Sequence, residues 1–154
     1  MSAEAAPPEL TPFVLAIDHV GIAVPSLDAA IEFHCSVFGL TVTHQEFNEE
    51  QGVAEAMLSA PGANPGDAQL QLLAPLGPKS SIAKFIGRSG PGLQQLAYRV
   101  SDVDAAAEAL RSAGVRVLYD TARTGTAGSR INFAHPKDTG GVLIELVQLA
   151  PATE

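Results

Sequence analysis

The chain repeats itself. The segment IDHVGIAVPSLDAAIE, beginning at Ile17, is echoed by LQQLAYRVSDVDAAAE, beginning at Leu93. In this register His19 falls on Gln95, Val24 on Val100, Asp28 on Asp104 and Glu32 on Glu108. A second echo closes each copy: LQLLAP from Leu70 matches IELVQLAP from Ile144 and sets Gln71 on Glu145. The two offsets are nearly equal, 76 (95 − 19) and 74 (145 − 71). Different motifs at one spacing define a duplicated unit of roughly 75 residues, too long for a solenoid repeat and right for a supersecondary module. A pseudo-twofold axis between two such units gathers equivalent positions, and His19, Gln95, Gln71 and Glu145 all carry atoms that can bind a metal ion.

Each copy opens with a period-two strand. Val20, Ile22 and Val24 share one face and His19, Gly21 and Ala23 the other; Gln95, Ala97 and Arg99 likewise oppose Leu96, Tyr98 and Val100. A helix follows: Ser26 can cap Leu27–Phe38, which stops at Gly39, and Ser101 or Asp102 can cap the stretch ending at Gly114. Three further strands are expected per copy, near 40–47, 52–59 and 68–74, then near 115–119, 130–134 and 141–148. Turn-rich APGANPGD and HPKDTGG separate the last two in each case. The expected division is a disordered leader over 1–12, a first βαβββ module over 13–77 and a linker with one short helix over 78–91. A second βαβββ module over 92–149 and a tail over 150–154 complete it. The fold class expected is α+β, two tandem βαβββ modules with eight strands between them.

The strand faces decide where polar groups go. One face of each sheet must be covered by its helix. His19, Gln71, Gln95 and Glu145 have the parity to point to the other face, which is concave if the sheet curls. Glu145, flanked by Ile144 and Leu146, stands out, because a carboxylate in an apolar strand is costly to bury without a cation or several donors. Taken singly, each of the four reads equally well as a structural residue; their conjunction at duplicated positions points to a metal.

Charge is unevenly divided. All nine Lys and Arg lie at or after Lys79, while residues 1–78 carry ten Asp and Glu and no Lys or Arg. No basic face is large enough to follow a nucleic-acid backbone, and no apolar run reaches the length of a membrane span. The segment MSAEAAPPELTP has neither the basic region nor the apolar core of a signal peptide. A single cysteine, Cys35, excludes an internal disulfide and fits a reducing cytoplasm; it reads as apolar filler on a helix.

The pattern IDHVGIAV, SLDAAIEF, LQLLAPL, SIAKF, GLQQLAYRV and NFAHPKDTGGVLIEL resembles the vicinal oxygen chelate superfamily and, within it, the methylmalonyl-CoA epimerases, from about Ile17 to Val147. The resemblance implies two βαβββ modules forming a cup-shaped mixed eight-stranded sheet around a central divalent metal held by His19, Gln71, Gln95 and Glu145. It also implies Glu55 and Glu145 as paired acid and base in a 1,1-proton transfer through a metal-stabilised enolate. Gln94 and Gln95 depart from the family's usual His-His, which makes the set one imidazole, two amides and one carboxylate. Such an oxygen-rich set points to Co²⁺ first, with Mn²⁺, Mg²⁺, Ni²⁺ or Zn²⁺ as alternatives. For an acyl-CoA substrate the available anion-binding groups are Ser81 at the linker helix, Lys84, Arg99, Arg130 and Lys137. The loop TGTAGSR, Thr124 to Arg130, can close over substrate or be an ordinary hairpin loop. A homodimer is implied as well. The competing expectations are another enzyme of this superfamily, a lyase or isomerase, and a metal-free small-molecule binding or resistance protein.

Overall fold

The computed structural model describes residues 13–152, so the expected leader over 1–12 and the end of the tail lie outside the described residues. The elements in chain order are β1 (Val14–Ala23), α1 (Leu27–Phe38), β2 (Thr41–Asn48), β3 (Val53–Ser59), β4 (Gln69–Pro75) and α2 (Ser81–Ser89). They continue with β5 (Gly92–Val100), α3 (Val103–Ser112), β6 (Arg123–Thr124), β7 (Arg130–Ala134) and β8 (Leu143–Gln148). The helices start at the side chains that can cap them. Ser26 Oγ accepts from the Ala29 N–H at 3.2 Å, Ser80 Oγ from Ala83 at 3.0 Å and Asp102 Oδ1 from Ala105 at 3.0 Å. α1 ends where Gly39 takes a left-handed φ of 74°, a conformation glycine adopts without strain.

All strands join one sheet in the order β2-β3-β4-β1-β5-β8-β7-β6. The duplication is written into its pairing. β1 runs parallel to β4 with His19 opposite Gln69, and β5 runs parallel to β8 with Gln95 opposite Leu143. The two halves meet at the antiparallel β1–β5 pair, where Gly21 faces Gln95 and His19 faces Ala97. The same registers make Ile131 the counterpart of Glu55: Glu55 pairs with Leu73, and Ile131 pairs with Val147.

Each helix covers the outer face of its own half. α1 packs Leu27 against Ala54, Ala56, Leu58 and Leu72, while α3 packs Val103, Ala106 and Leu110 against Val100, Ala134 and Leu146. The inner face carries two smaller apolar clusters, Ala23–Val53–Leu73–Ile82 and Ala97–Ile131–Phe133–Val147. Between these clusters lie the polar side chains of the inner face.

One expected strand is missing. The stretch 115–119 is reduced to a single bridge between Val117 and Ala134, and the outer position is taken by the two-residue β6. Two backbone hydrogen bonds flank that bridge, Leu118 N–H to the Phe133 carbonyl at 2.8 Å and His135 N–H to the Arg116 carbonyl at 2.9 Å, and side chains add to them. Asn132 accepts from the Tyr119 N–H and donates to the Tyr119 carbonyl, and Arg111 donates to the carbonyls of Tyr119 and Asp120.

Candidate active site

The central strands place His19 on β1, Gln71 on β4, Gln95 on β5 and Glu145 on β8 next to one another on the inner face. All four are buried, between 2 and 8 % exposed. His19 Nε2 lies 3.0 Å from Glu145 Oε1. Gln95 Nε2 lies 2.7 Å from the same oxygen, 3.0 Å from Gln71 Oε1 and 3.3 Å from His19 Nε2. Gln95 can reach across because Gly21, the residue between Gln71 and Gln95 in the pairing, has no side chain.

This arrangement can be tested for its fit to a divalent ion. Three polar atoms from three strands converge on a single amide nitrogen that has only two hydrogens to give. That is the arrangement a cation completes, and rotation of the Gln95 amide presents its oxygen as a fourth donor. Among the described residues no group of three or more His, Cys, Asp or Glu side chains is arranged to hold a metal; the set leans on its two glutamines. The residues fit a hard or borderline ion better than a soft one.

Glu55 enters from β3. Its Oε2 accepts from Gln71 Nε2 at 3.1 Å, and Thr126 Oγ1 donates to its Oε1. Gln71 Nε2 also donates to Thr126 Oγ1 at 3.1 Å. Glu55 is 3 % exposed, and burial pushes its carboxyl up to about 7, helped by the charges of Glu46 and Glu145 and opposed by the Thr126 hydrogen bond. The loop carrying Thr126 belongs to the second half of the chain. It is pinned by Ala127, whose N–H donates to Glu46 Oε1 at 2.7 Å from a positive φ of 55°.

His19 sits between two acids. Burial alone would lower its pKa, but hydrogen bonds to Asp18 and Glu145 outweigh that and raise it to about 9. Burial would likewise raise Asp18; the His19 and Arg99 partners instead hold it below the ordinary carboxylate value.

A cavity of about 130 Å³ opens on the cluster. Glu55, Gln71, Gln95 and Glu145 line it together with Val53, Leu73, Tyr119, Thr126 and Phe133. Gln51 and Gln94 also line it, and the amide nitrogen of the one and the amide oxygen of the other are buried without a hydrogen-bond partner. Ser81 lines the same cavity.

The other expected anion-binding residues are not brought there. Lys84 and Lys137 are exposed and line neither this cavity nor the one beside it, which lies against Asp18 and Arg99. Arg130 forms a two-pronged ion pair with Asp104 of α3, at 2.9 and 3.1 Å, on the helix side of the sheet. Arg99 is engaged by Asp18 and the Gly66 carbonyl.

Sequence reading missed Asp18 and Gln51 as members of this region and named Gln94 only as a departure from the family pattern. Strand parity sends Asp18 to the face opposite His19, so only the carboxylate directly before the histidine gave a signal. The unmet amides of Gln51 and Gln94 have no pattern in a sequence.

A model of the glyoxalase/bleomycin resistance protein/dioxygenase superfamily matches residues 18–133. Ethylmalonyl-CoA/methylmalonyl-CoA epimerase of Cereibacter sphaeroides is 35 % identical over 135 residues, covering 86 % of this chain and 97 % of the relative. The crystal structure of methylmalonyl-CoA epimerase from Mycobacterium tuberculosis superposes with a TM-score of 0.86 at 58 % identity, covering 92 % of each chain. A variant of the Streptomyces coelicolor methylmalonyl-CoA epimerase in complex with 2-nitronate-propionyl-CoA gives 0.85 at 47 %, over 90 % of this chain and 99 % of that one. The chain belongs to this superfamily, on its methylmalonyl-CoA epimerase branch.

Proposed function

We propose that this protein is an isomerase interconverting the 2R and 2S epimers of methylmalonyl-CoA by moving the proton on the carbon between thioester and carboxylate. Glu55 and Glu145 are the paired acid and base. His19, Gln71, Gln95 and Glu145 hold one divalent ion, cobalt foremost. The observation that carries the reading is the unbroken run Glu55–Gln71–Gln95–Glu145, linked at 3.1, 3.0 and 2.7 Å. It sets carboxylates from the two halves of the chain on one cavity.

Inverting a carbon centre requires one group to take its proton from one face and another to return a proton to the opposite face. Two halves facing each other across a cup supply those opposed approaches. Gln71 and Thr126 fix the Glu55 carboxylate, and His19 and Gln95 fix that of Glu145. Val53, Leu73 and Phe133 keep the wall between them apolar. Positioned acid–base groups of this kind contribute about 10²–10⁴-fold. When bound, the divalent ion supplies Lewis-acid stabilisation of negative charge developing on substrate oxygens, on the order of several kcal/mol. A cytoplasmic, homodimeric enzyme completes the reading. Among the described residues no helix is long and apolar enough to cross a membrane, and apolar Leu15, Ile17 and Leu93 stand exposed on the central strands.

Two assays test this. Chelated protein refilled with single divalent ions is expected to regain epimerisation of (2S)-methylmalonyl-CoA in a coupled assay. Glu55→Ala is expected to lose about 10²-fold or more in epimerisation while still exchanging one face's proton in D₂O. Parent-like epimerisation by Glu55→Ala would remove the two-carboxylate mechanism.

A further inference from the structure

Asp18 and His19 are adjacent in sequence, and in an unbroken strand their side chains leave opposite faces of the sheet. Here they meet, with His19 Nδ1 2.7 Å from Asp18 Oδ2. The cause is local. The pairing of β1 with β5 steps from Ile17–Tyr98 directly to His19–Ala97, so Asp18 is an extra residue with no partner on β5. A bulge of this kind re-aims a side chain, and Asp18 is turned beneath the imidazole, 8 % exposed. Its second oxygen is held too: Arg99 Nε–H donates to Oδ1 at 2.8 Å. The same guanidinium donates to the Gly66 carbonyl at 3.2 Å, in the loop between β3 and β4. A run of contacts thus leads from that loop through Arg99 and Asp18 to His19.

We propose that Asp18 and Arg99 are positioning residues for His19: Asp18 holds the imidazole so that Nε2 faces Gln71, Gln95 and Glu145, and Arg99 holds Asp18. The inference rests on the reading of His19 as a metal ligand. An imidazole that gives its Nδ1–H to a carboxylate keeps Nε2 as the ligating nitrogen and fixes the ring's orientation. Each Asp18 oxygen has one partner, so neither is spare. An asparagine offers a single acceptor oxygen, and Asp18→Asn must release either His19 or Arg99. The guanidinium reaches a carboxylate and a carbonyl at once, whereas a lysine ammonium is a point charge on a flexible stem. Arg99 therefore serves the histidine from beneath, and its charge is not free for the phosphates of a substrate.

Cobalt titration of the 154-residue chain separates positioning from a purely structural role. Metal-free parent, Asp18→Asn, Arg99→Met and Arg99→Lys are titrated with Co²⁺ by calorimetry, and the visible absorption bands of the loaded proteins are recorded. Asp18→Asn is expected to bind cobalt about 10–100-fold more weakly, with displaced bands. Arg99→Met is expected to lose less, and Arg99→Lys to recover part of that loss. If Asp18→Asn does not fold, as a melt of the metal-free protein would reveal, the two Arg99 variants decide the matter. Parent-like affinity and bands in the variants would overturn the positioning role and leave the metal site standing. A parent protein that takes up no cobalt would overturn the metal reading and this inference with it.

Discussion

Gly21 shows how much one absent methyl group can matter. It lies between Gln71 and Gln95 in the strand pairing, and the Gln95 side chain crosses the space above it. A Cβ at this position would stand 2.7 Å from Gln95 Cγ, closer than carbon atoms approach, and 3.1 Å from Leu73 Cδ1, tighter than an ordinary contact. The need here is room, since Gly21 is not among the residues with positive φ. Gly21→Ala is expected to fold yet push Gln95 out of line. Misplacement of a catalytic constellation by about 1 Å costs roughly 10²-fold, so kcat/KM should fall by that order and cobalt binding should weaken. Parent-like values of both would show that Gln95 does not depend on that space. At this scale the sequence disclosed His19, Gln71, Gln95 and Glu145 because strand parity and duplication agree at those positions. Asp18 stayed hidden because a one-residue bulge overrides parity, and no residue type announces a bulge.

Among the elements, the two helix-covered cores behave as twins. Leu72 on β4 and Leu146 on β8 occupy equivalent positions, 0 % and 1 % exposed, each beneath the helix of its own half. Leucine-to-alanine changes at such sites cost about 2–5 kcal/mol. The two residues belong to separate clusters, so their effects should add to within about 0.5 kcal/mol in the double variant. Urea melts of Leu72→Ala, Leu146→Ala and the double variant check both points; a double variant much more stable than the sum would mean the cores are coupled. Helix α1 was legible to the residue because Ser26 and Gly39 bracket it, whereas for α3 the sequence left Ser101 and Asp102 open and pointed to an end at Gly114, and the helix is capped by Asp102 and stops at Ser112. The stretch 115–119 misled, because its alternating Val115, Val117 and Tyr119 satisfy a strand pattern. In the fold that backbone makes one bridge to β7 and then leaves the ladder at Tyr119, whose N–H and carbonyl are taken by Asn132 and Arg111 side chains, an ending that periodicity cannot foresee.

For the molecule as a whole, the proposed ligands are divided evenly, two from each half, on either side of the β1–β5 seam. An ion bound there ties the halves together as well as serving the chemistry. Binding at a hundredfold excess over Kd stabilises a folded protein by about 2.7 kcal/mol, which for a chain of this size raises Tm by roughly 5–10 °C. Calorimetric melts with cobalt and with excess EDTA should differ by that amount, and coincident melts would remove the metal from the account. The overall architecture was legible because the duplication fixed it. The two acids, however, are not mirror images: Glu55 stands where the other half has Ile131, and Glu145 where it has Gln71. A symmetric pair of separate, identical modules must present the same residue on both sides of its axis. Covalent fusion lifts that constraint, and each copy can then drift alone. A handed substrate carbon, which must be approached differently from its left and its right, calls for that kind of lopsided vessel.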